Sequence, residues 1–199
     1  MKFQSPEWGP AVFLDRDGVL IEDVHLLSTP ESICVRDDAP QALVKIRNAG
    51  FRLIVVSNQT VVARGILTEP EMKLLHRQVE EALQDNGAPA LDGFYYCPHH
   101  PRATVQDYRV DCDCRKPRAG LLLRAAAEHD IHPVRSFMIG DRITDIIAGS
   151  SAGCRTVLVE TGQHLAPPIE TSAPIDNSIL PDHTCANLAE AAQWILEVM

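Results

Sequence analysis

Short apolar runs alternate with longer amphipathic stretches along most of the chain. Each apolar run is rich in branched or aromatic side chains and is bounded by turn residues, which is the pattern of a buried β-strand. Five strands are predicted in this way, at residues 11–15, 51–57, 93–97, 136–141 and 155–160. Five helices are predicted between and after them, at residues 39–49, 68–87, 120–129, 144–151 and 188–198.

Capping residues define several of the predicted helix boundaries. Thr68 stands three residues before Glu71, as in a capping box, and Asn187 precedes the last helix, where its side chain can cap the first turn. Gly50 and Gly87 follow two helices at the position where glycine commonly ends them. Alternation of strands and helices favours right-handed crossovers and a parallel sheet with helices on both faces. The predicted fold is α/β, a three-layer, doubly wound parallel sheet.

The chain length favours one domain. Its 199 residues are enough for one substantial hydrophobic core and are few for two. Hydrophobic residues make up 45% of the chain and charged residues 23%, as in ordinary globular proteins. We therefore predict a single domain over residues 1–199, in which the proline-rich residues 161–182 form an irregular surface segment.

The charge of the chain restricts its partners. A formal net charge of −9 argues against binding to nucleic acid or to an anionic membrane, because those partners require a basic face. A small anionic substrate is compatible with it, since a few local cations can hold one. No apolar run is long enough to span a bilayer, and the first ten residues lack the apolar core of a signal peptide. We expect a cytoplasmic monomer without membrane contact.

Polar residues stand where the predicted strands end. Ligands of doubly wound sheets bind beyond the carboxyl ends of the strands, so these residues are the first candidates for chemistry. Two neighbouring carboxylates there repel each other unless a cation or a shared proton offsets the repulsion. Alone, each residue has an ordinary interpretation as a turn or helix-capping residue. The candidates at strand ends and in the following helix are Asp15, Asp17, Ser57, Asp141 and Asp145.

Together with Lys116, which precedes the third helix, these residues resemble the four-motif pattern of the haloacid dehalogenase superfamily. The resemblance extends over roughly residues 11–160, and nearly all members of that superfamily transfer phosphoryl groups through an aspartyl-phosphate. It implies that Asp15 is the nucleophile and Asp17 the general acid and base. It also implies that Ser57 and Lys116 bind the non-bridging oxygens of the phosphoryl group.

The same resemblance implies a catalytic Mg²⁺. Its ligands would be Asp15, the main-chain carbonyl of Asp17, and Asp141, and the cation would offset the charges of a carboxylate nucleophile and a dianionic ester. Asp145, one helical turn further on, would orient the metal site or Lys116 instead of binding the metal directly.

Three of the six cysteines lie close together in sequence, near two histidines. The segment offers three thiolates and one imidazole, a closed tetrahedral set that suits structural Zn²⁺: Cys97, His99, Cys112 and Cys114. His100 is an alternative to His99, and reduced cysteines in a polar loop are the alternative to a metal. A zinc ion would order the loop and fix the positions of Arg115 and Lys116. The other cysteines, Cys34, Cys154 and Cys185, are predicted to be small core residues.

Several longer motifs point to one family within the superfamily. The segments "FLDRDGV", "SNQTVVARG", "YYCPHHP", "CDCRKP" and "IGDRITD" are similar to those of the D-glycero-D-manno-heptose 1,7-bisphosphate phosphatases over nearly the whole chain. The resemblance implies removal of the 7-phosphate, which gives heptose 1-phosphate for lipopolysaccharide or surface glycan synthesis. Val19 and Val61 stand where many members have Thr and Gly. These differences leave the catalytic residues unchanged, but the substrate and anomer preference of the family does not carry over directly.

Other functions are compatible with the residues. Histidinol-phosphate phosphatases share the zinc site, although their loop between the paired ligands is typically shorter, and another small sugar-phosphate phosphatase is a further alternative. A catalytically silent, zinc-stabilised binding module is the alternative of a different class. It is disfavoured because every catalytic position holds the appropriate residue type.

The intervals between motifs are too short for a large cap domain, so loops would select the substrate. We predict that four residues contact it: Asn58, Gln59, Arg64 and Arg115. The two arginines suit a second, anomeric phosphate because a guanidinium can bind phosphate with two hydrogen bonds. The alternative for each is a solvated surface arginine.

Overall fold

The computed structural model describes residues 8–164, 175–176 and 178–199. These residues form six strands and five α-helices. The strands are β1 (Ala11–Leu14), β2 (Arg52–Asn58), β3 (Gly93–Cys97), β4 (Phe137–Gly140), β5 (Arg155–Val159) and β6 (His183–Cys185). The helices are α1 (Ala39–Asn48), α2 (Glu69–Asp85), α3 (Gly120–Glu128), α4 (Ile143–Ala152) and α5 (Leu188–Glu197).

The six strands form one sheet in the order β3-β2-β1-β4-β5-β6, and every neighbouring pair is parallel. The predicted doubly wound α/β fold is therefore confirmed. The chain moves outward from β1 to β3 and then crosses back to place β4 on the other side of β1. Ala11 N donates to Ser136 Oγ at 3.0 Å across this junction, although the two residues lie 125 positions apart.

Alternating side chains of β1 divide the core into two layers. Val12 and Leu14 belong to a cluster with buried residues of α1, α2 and α5, whereas Ala11 and Phe13 belong to one with α3 and α4. Because helices cover both faces of the sheet, all four residues of β1 are fully buried. In the part of the chain that the structure describes, no helix combines the length and the apolar character needed to cross a bilayer.

Sequence analysis missed β6, His183–Cys185, because a three-residue strand is too short to show a periodic pattern. The irregular segment predicted over residues 161–182 lies largely outside the described residues. Both predicted caps are present. Thr68 and Glu71 form a reciprocal capping box, and Asn187 Oδ1 accepts a hydrogen bond of 3.0 Å from Glu190 N.

The prediction of three buried isolated cysteines was wrong for Cys34. Cys154 and Cys185 are buried, but Cys34 is exposed. Ile33 and Val35 on either side of it pack against the core. In an extended segment neighbouring side chains point to opposite sides, so Cys34 faces away from the core.

Asp38 joins the start of α1 to the start of α5. Its Oδ2 accepts hydrogen bonds from Leu188 N at 2.8 Å and from Ala189 N at 3.3 Å. We expect Asp38→Ala to lower the free energy of unfolding by about 1–2 kcal/mol, because two amides and the positive end of the α5 dipole lose their anionic partner. Thermal unfolding measures the change, with the exposed neighbour Asp37→Ala as control. Equal melting temperatures for the two variants would contradict this role.

Candidate active site

A cleft lies beyond the carboxyl ends of the central strands. Eight of the residues predicted from the sequence line it: Asp15, Asp17, Ser57, Asn58, Gln59, Arg64, Lys116 and Asp145. They come from the ends of β1 and β2, from the segment before α3 and from the first turn of α4. The crossover between β3 and β4 brings these distant segments to the same edge of the sheet.

Three buried carboxylates lie together at the floor of the site. Asp15, Asp141 and Asp145 each offer a carboxylate oxygen within 4.8 Å of the others. Burial, together with the charges of Asp15 and Asp145, raises the pKa of Asp141 to about 8. Burial also raises the pKa of Asp145 to about 6, although the charge of Lys116 opposes the shift. So close a cluster of anions is costly without a compensating cation.

The carboxylates fit a hard divalent cation. Asp141 Oδ1 is buried and accepts no hydrogen bond from the described residues, so it has a lone pair to offer a metal. Carboxylate and main-chain oxygens are the protein ligands that Mg²⁺ prefers. The geometry therefore brings together Asp15 and Asp141, the two carboxylates that the sequence assigned to a metal.

Backbone atoms surround the other oxygen of Asp141. Gln163 N donates a hydrogen bond of 2.6 Å to Asp141 Oδ2. Gly18 has φ +79°, and a Cβ at this position would lie 2.6 Å from the same oxygen. Only glycine combines this backbone conformation with so close an approach. Neither residue was selected from the sequence, because no periodic pattern marks Gly18 or Gln163 as neighbours of Asp141.

Lys116 is fully buried and neutralises part of the cluster. Its Nζ lies 2.6 Å from Asp145 Oδ1 and 3.0 Å from Asp15 Oδ1, and it donates to Val56 O at 2.8 Å. Burial alone would lower the pKa of Lys116, but the two carboxylates outweigh this effect and raise it. Lys116 is therefore a fixed cation beside Asp15. The contact with Asp145 agrees with one of the two roles expected for that residue, the orientation of Lys116.

Asn58 holds the main chain of Lys116 in place. Its Nδ2 donates to Lys116 O at 3.1 Å, and its Oδ1 accepts from Lys116 N at 3.0 Å. The following Lys116–Pro117 peptide bond is cis. We predicted that Asn58 contacts the substrate, but here both atoms of its side-chain amide bind the neighbouring segment. This arrangement fixes the position of Lys116 relative to the end of β2.

Gln59 connects two of the predicted catalytic residues. Its Nε2 donates to Asp17 Oδ2 at 2.8 Å and to Ser57 Oγ at 2.9 Å. Arg16, which sequence analysis did not select, also donates to the Asp17 carboxylate. Its sequence signal was an arginine between two aspartates at the end of an apolar strand, where a buried cation requires an anionic partner.

The predicted substrate arginines lie in different surroundings. Arg64 is exposed on the lining of the cleft. Arg115 is only 4% exposed, is not part of that lining and donates to His99 O at 3.1 Å. Arg142, which was not predicted, also lines the cleft, and its Nη2 lies 3.7 Å from Asp23 Oδ2. The side chains of Arg115 and Lys116 point in different directions, Arg115 toward His99 and Lys116 toward Asp15, and the substrate contact of Arg115 stays a prediction.

A second cluster of residues that could hold a metal ion lies between the end of β3 and the start of α3. The thiol sulfurs of Cys97, Cys112 and Cys114 are 3.2–3.6 Å apart, well beyond the length of a disulfide bond. His99 Nδ1 lies 3.3 Å from Cys114 Sγ and 3.7 Å from Cys97 Sγ. Hydrogen bonding with Cys97 lowers the pKa of the Cys114 thiol to about 5.

These spacings fit a tetrahedral Zn²⁺ site. With Zn–S bonds of about 2.3 Å and a Zn–N bond of about 2.0 Å, the ligand atoms of a tetrahedron lie roughly 3.5–3.8 Å apart. The observed separations are close to these values. His100 is not part of the cluster, because its Nδ1 accepts a hydrogen bond from Arg102 N at 3.1 Å. The geometry thus favours His99 over His100 as the imidazole ligand.

Comparison with known proteins identifies the same family as the sequence motifs. A D-glycero-β-D-manno-heptose-1,7-bisphosphate 7-phosphatase of Photorhabdus laumondii is 42% identical over 165 residues, which cover 82% of this chain and 85% of the relative. The enzyme of that name from Escherichia coli is 41% identical over 168 residues, covering 82% and 86%. The chain belongs to the heptose 1,7-bisphosphate phosphatase family. A model of the HAD-hydrolase-like family also matches residues 113–191.

A solved structure of the heptose bisphosphate phosphatase family supports the same fold. The D,D-heptose 1,7-bisphosphate phosphatase of B. bronchiseptica, complexed with magnesium and phosphate, has a TM-score of 0.77 and 26% sequence identity. The alignment covers 96% of this chain and 99% of that one. The family resemblance expected from the five sequence motifs is therefore confirmed, and the α/β fold is common to both proteins.

Proposed function

We propose that the protein is a Mg²⁺-dependent phosphatase that removes the 7-phosphate of D-glycero-β-D-manno-heptose 1,7-bisphosphate. The observation that carries the proposal is the buried cluster of Asp15, Asp141 and Asp145 with Lys116 beside it, at the floor of an open cleft. Relatives about 40% identical are named for this activity and for the β anomer, which supports that choice of substrate.

The proposed reaction has two steps. Asp15 attacks phosphorus, so that a bond from its carboxylate oxygen to phosphorus forms while the bond to the 7-oxygen of the sugar breaks. Asp17 gives a proton to the departing alkoxide and later takes a proton from the water that attacks the aspartyl-phosphate. The second attack releases inorganic phosphate and regenerates Asp15. Ser57 and Lys116 hold the non-bridging oxygens throughout, since both line the cleft beside Asp15.

Asp15, the main-chain carbonyl of Asp17, and Asp141 would hold Mg²⁺. When bound, the ion offsets the negative charges that meet in the transition state. Magnesium and phosphate in the B. bronchiseptica relative support this cofactor. The protein itself contributes the fixed cation of Lys116, whose ammonium group already lies 3.0 Å from Asp15 Oδ1.

Zn²⁺ is the proposed ion of the second cluster, with a structural role. Four protein ligands leave no position for water or substrate, which is typical of structural sites. The loop that the ion would order contacts the wall of the cleft, because Thr104 N and Val105 N both donate to Ala63 O, next to Arg64. Arg115 donates to the main chain of the zinc ligand His99. The ion would thereby fix Arg64 and Lys116 relative to one another.

The product, heptose 1-phosphate, would supply nucleotide-activated heptose for lipopolysaccharide or another surface glycan. Four further expectations from the sequence are retained as proposals. They are the cytoplasmic location, the monomeric state, the single domain over residues 1–199 and the absence of macromolecular partners. The net charge of −9 supports the last of these, because nucleic acids and anionic membranes require a basic face.

Phosphate release from a substrate panel tests the proposed function. The panel contains both anomers of heptose 1,7-bisphosphate, histidinol phosphate and fructose 1,6-bisphosphate, each with Mg²⁺. We expect kcat/KM for the β heptose anomer to exceed the others by about two orders of magnitude, roughly 3 kcal/mol of transition-state binding. A preference for histidinol phosphate would replace the substrate assignment. Absence of hydrolysis across the panel would favour the silent binding module.

A further inference from the structure

Arg16 is a buried cation with one anionic partner. Only 1% of its surface is exposed. Its Nε and Nη2 donate to Asp17 Oδ1 at 3.1 and 2.8 Å, and Nη2 also lies 2.9 Å from Asp17 Oδ2. Among the described residues, Asp17 is the only carboxylate that Arg16 contacts. A buried guanidinium stays charged, so this contact holds both groups in a defined geometry.

His76, a titratable group near Arg16, carries no charge that could compete for the guanidinium. It stacks on Phe94, with ring centroids 4.0 Å apart, and lies near enough to Arg16 for the Arg16 charge to act on it. Burial, assisted by the charge of Arg16, lowers the pKa of His76 to about 2, so the imidazole is neutral. The Arg16 charge is therefore directed to Asp17, which is partly exposed to the cleft.

Gln59 holds Asp17 from a second direction. Its Nε2 donates to Asp17 Oδ2 at 2.8 Å, so that three donor nitrogens fix the two oxygens of one carboxylate. We call Arg16 and Gln59 the Asp17 clasp. These hydrogen bonds fix the plane of the carboxylate, which cannot turn without breaking the bonds of the guanidinium group.

We propose that the Asp17 clasp positions this carboxylate for the second chemical step, the attack of water on the aspartyl-phosphate. Within the proposed function, on which this inference rests, the water loses a proton to Asp17. Its oxygen then forms a bond to phosphorus while the bond from phosphorus to Asp15 breaks. Arg16 and Gln59 both contact the carboxylate of Asp17. They act as positioning residues, because a base must be held within hydrogen-bond distance of the water that it activates.

The Arg16→Lys variant tests the role of the fork. Lysine keeps the positive charge but offers one ammonium group in place of two coplanar donors, so Asp17 loses its fixed orientation. The substrate for this test is p-nitrophenyl phosphate, because its leaving group departs without a proton from Asp17 and only the second step then depends on that carboxylate. When only the second step slows, kcat and KM fall together, kcat/KM is preserved, and the phosphorylated enzyme accumulates. We expect kcat for this aryl ester to fall about 10- to 100-fold. Acid quench and intact-mass measurement quantify the phosphorylated enzyme in the steady state.

Two other variants complete the experiment. Arg36→Lys is the matched control, because Arg36 also binds carboxylates, Glu22 at 2.8 Å and Asp38 at 3.4 Å, but does not line the cleft. Its kcat should equal that of the wild type. Gln59→Met removes the other part of the clasp and should also cause accumulation of phosphorylated enzyme. It gives a second test if Arg16→Lys does not fold.

The outcomes separate this inference from the proposed function. Wild-type protein that hydrolyses no member of the panel contradicts the proposed function. If the wild type is active but kcat/KM of the clasp variants falls in proportion to kcat, without phosphorylated enzyme, the clasp is merely structural and the inference is wrong. Preserved kcat/KM with accumulated phosphorylated enzyme supports it.

Discussion

Replacing Asp15 with asparagine is expected to reduce phosphate release by at least about 10⁴-fold. The amide has the shape of the carboxylate but cannot act as the anionic nucleophile that forms the aspartyl-phosphate. The fold should be unaffected. Asp15 contributes one of three crowded negative charges, so its neutralisation relieves repulsion on Asp141 and Asp145. Phosphate release from the heptose bisphosphate and thermal unfolding of the metal-free protein measure the two effects.

Suitable controls distinguish loss of the nucleophile from general damage. Asp85→Asn changes an exposed aspartate at the end of α2 and should keep full activity. Asp15→Ala excludes slow deamidation of the introduced asparagine as a source of residual turnover. If Asp15→Asn and Asp15→Ala both retained activity within tenfold of the wild type, the aspartyl-phosphate mechanism would have to be abandoned.

The second large effect is expected at the cysteine and histidine cluster proposed to hold zinc. Binding of a structural zinc ion contributes on the order of 10 kcal/mol to the folding of small zinc domains, so losing one ligand is expected to cost several kcal/mol. For Cys112→Ser we predict a melting temperature lower by about 10 °C, from roughly 2–4 °C per kcal/mol in a chain of this size. Activity should fall as well, because Lys116 follows the cluster directly and Arg115 contacts the main chain of His99.

Metal analysis tests the zinc prediction independently of activity. Purified wild-type protein should contain about one zinc ion per chain, and Cys112→Ser should contain much less. Cys34→Ser is the matched control, since this exposed cysteine lies outside the cluster and should change stability by no more than about 0.5 kcal/mol. Wild-type protein without zinc, or equal melting temperatures for both variants, would overturn the structural role.

The fold was largely predictable because its signals are local. Five strands carry short apolar runs, and the capping residues Thr68 and Asn187 mark helix starts that the structure also shows. β6 escaped prediction because three residues contain no measurable period. Cys34 was misassigned because hydrophobicity of a neighbourhood does not say which side of an extended segment a residue faces.

The candidate site was predictable only in part. Residue type and position at a strand end were enough to select Asp15 and Asp141, because parallel strands end at a common edge. The contacts of Asn58 with the Lys116 main chain and the burial of Arg115 depend on how distant segments pack. Arg16 had a local signal, its place between two aspartates, but its contact with Asp17 depends on the direction of its side chain. Pairwise side-chain geometry of this kind leaves no trace in a local sequence pattern.

The pairing of β1 with β4 has a consequence for how the protein is made. Asp15 leaves the ribosome long before Asp141, and the hydrogen bond between Ala11 and Ser136 joins residues 125 positions apart. Closing so long a loop is slow compared with forming a helix or a local strand pair. The acidic cluster therefore assembles only after most of the chain has been synthesised. A nascent or truncated chain that lacks β4 and α4 has an incomplete acidic cluster, so the candidate site forms only after the chain has been made as far as α4.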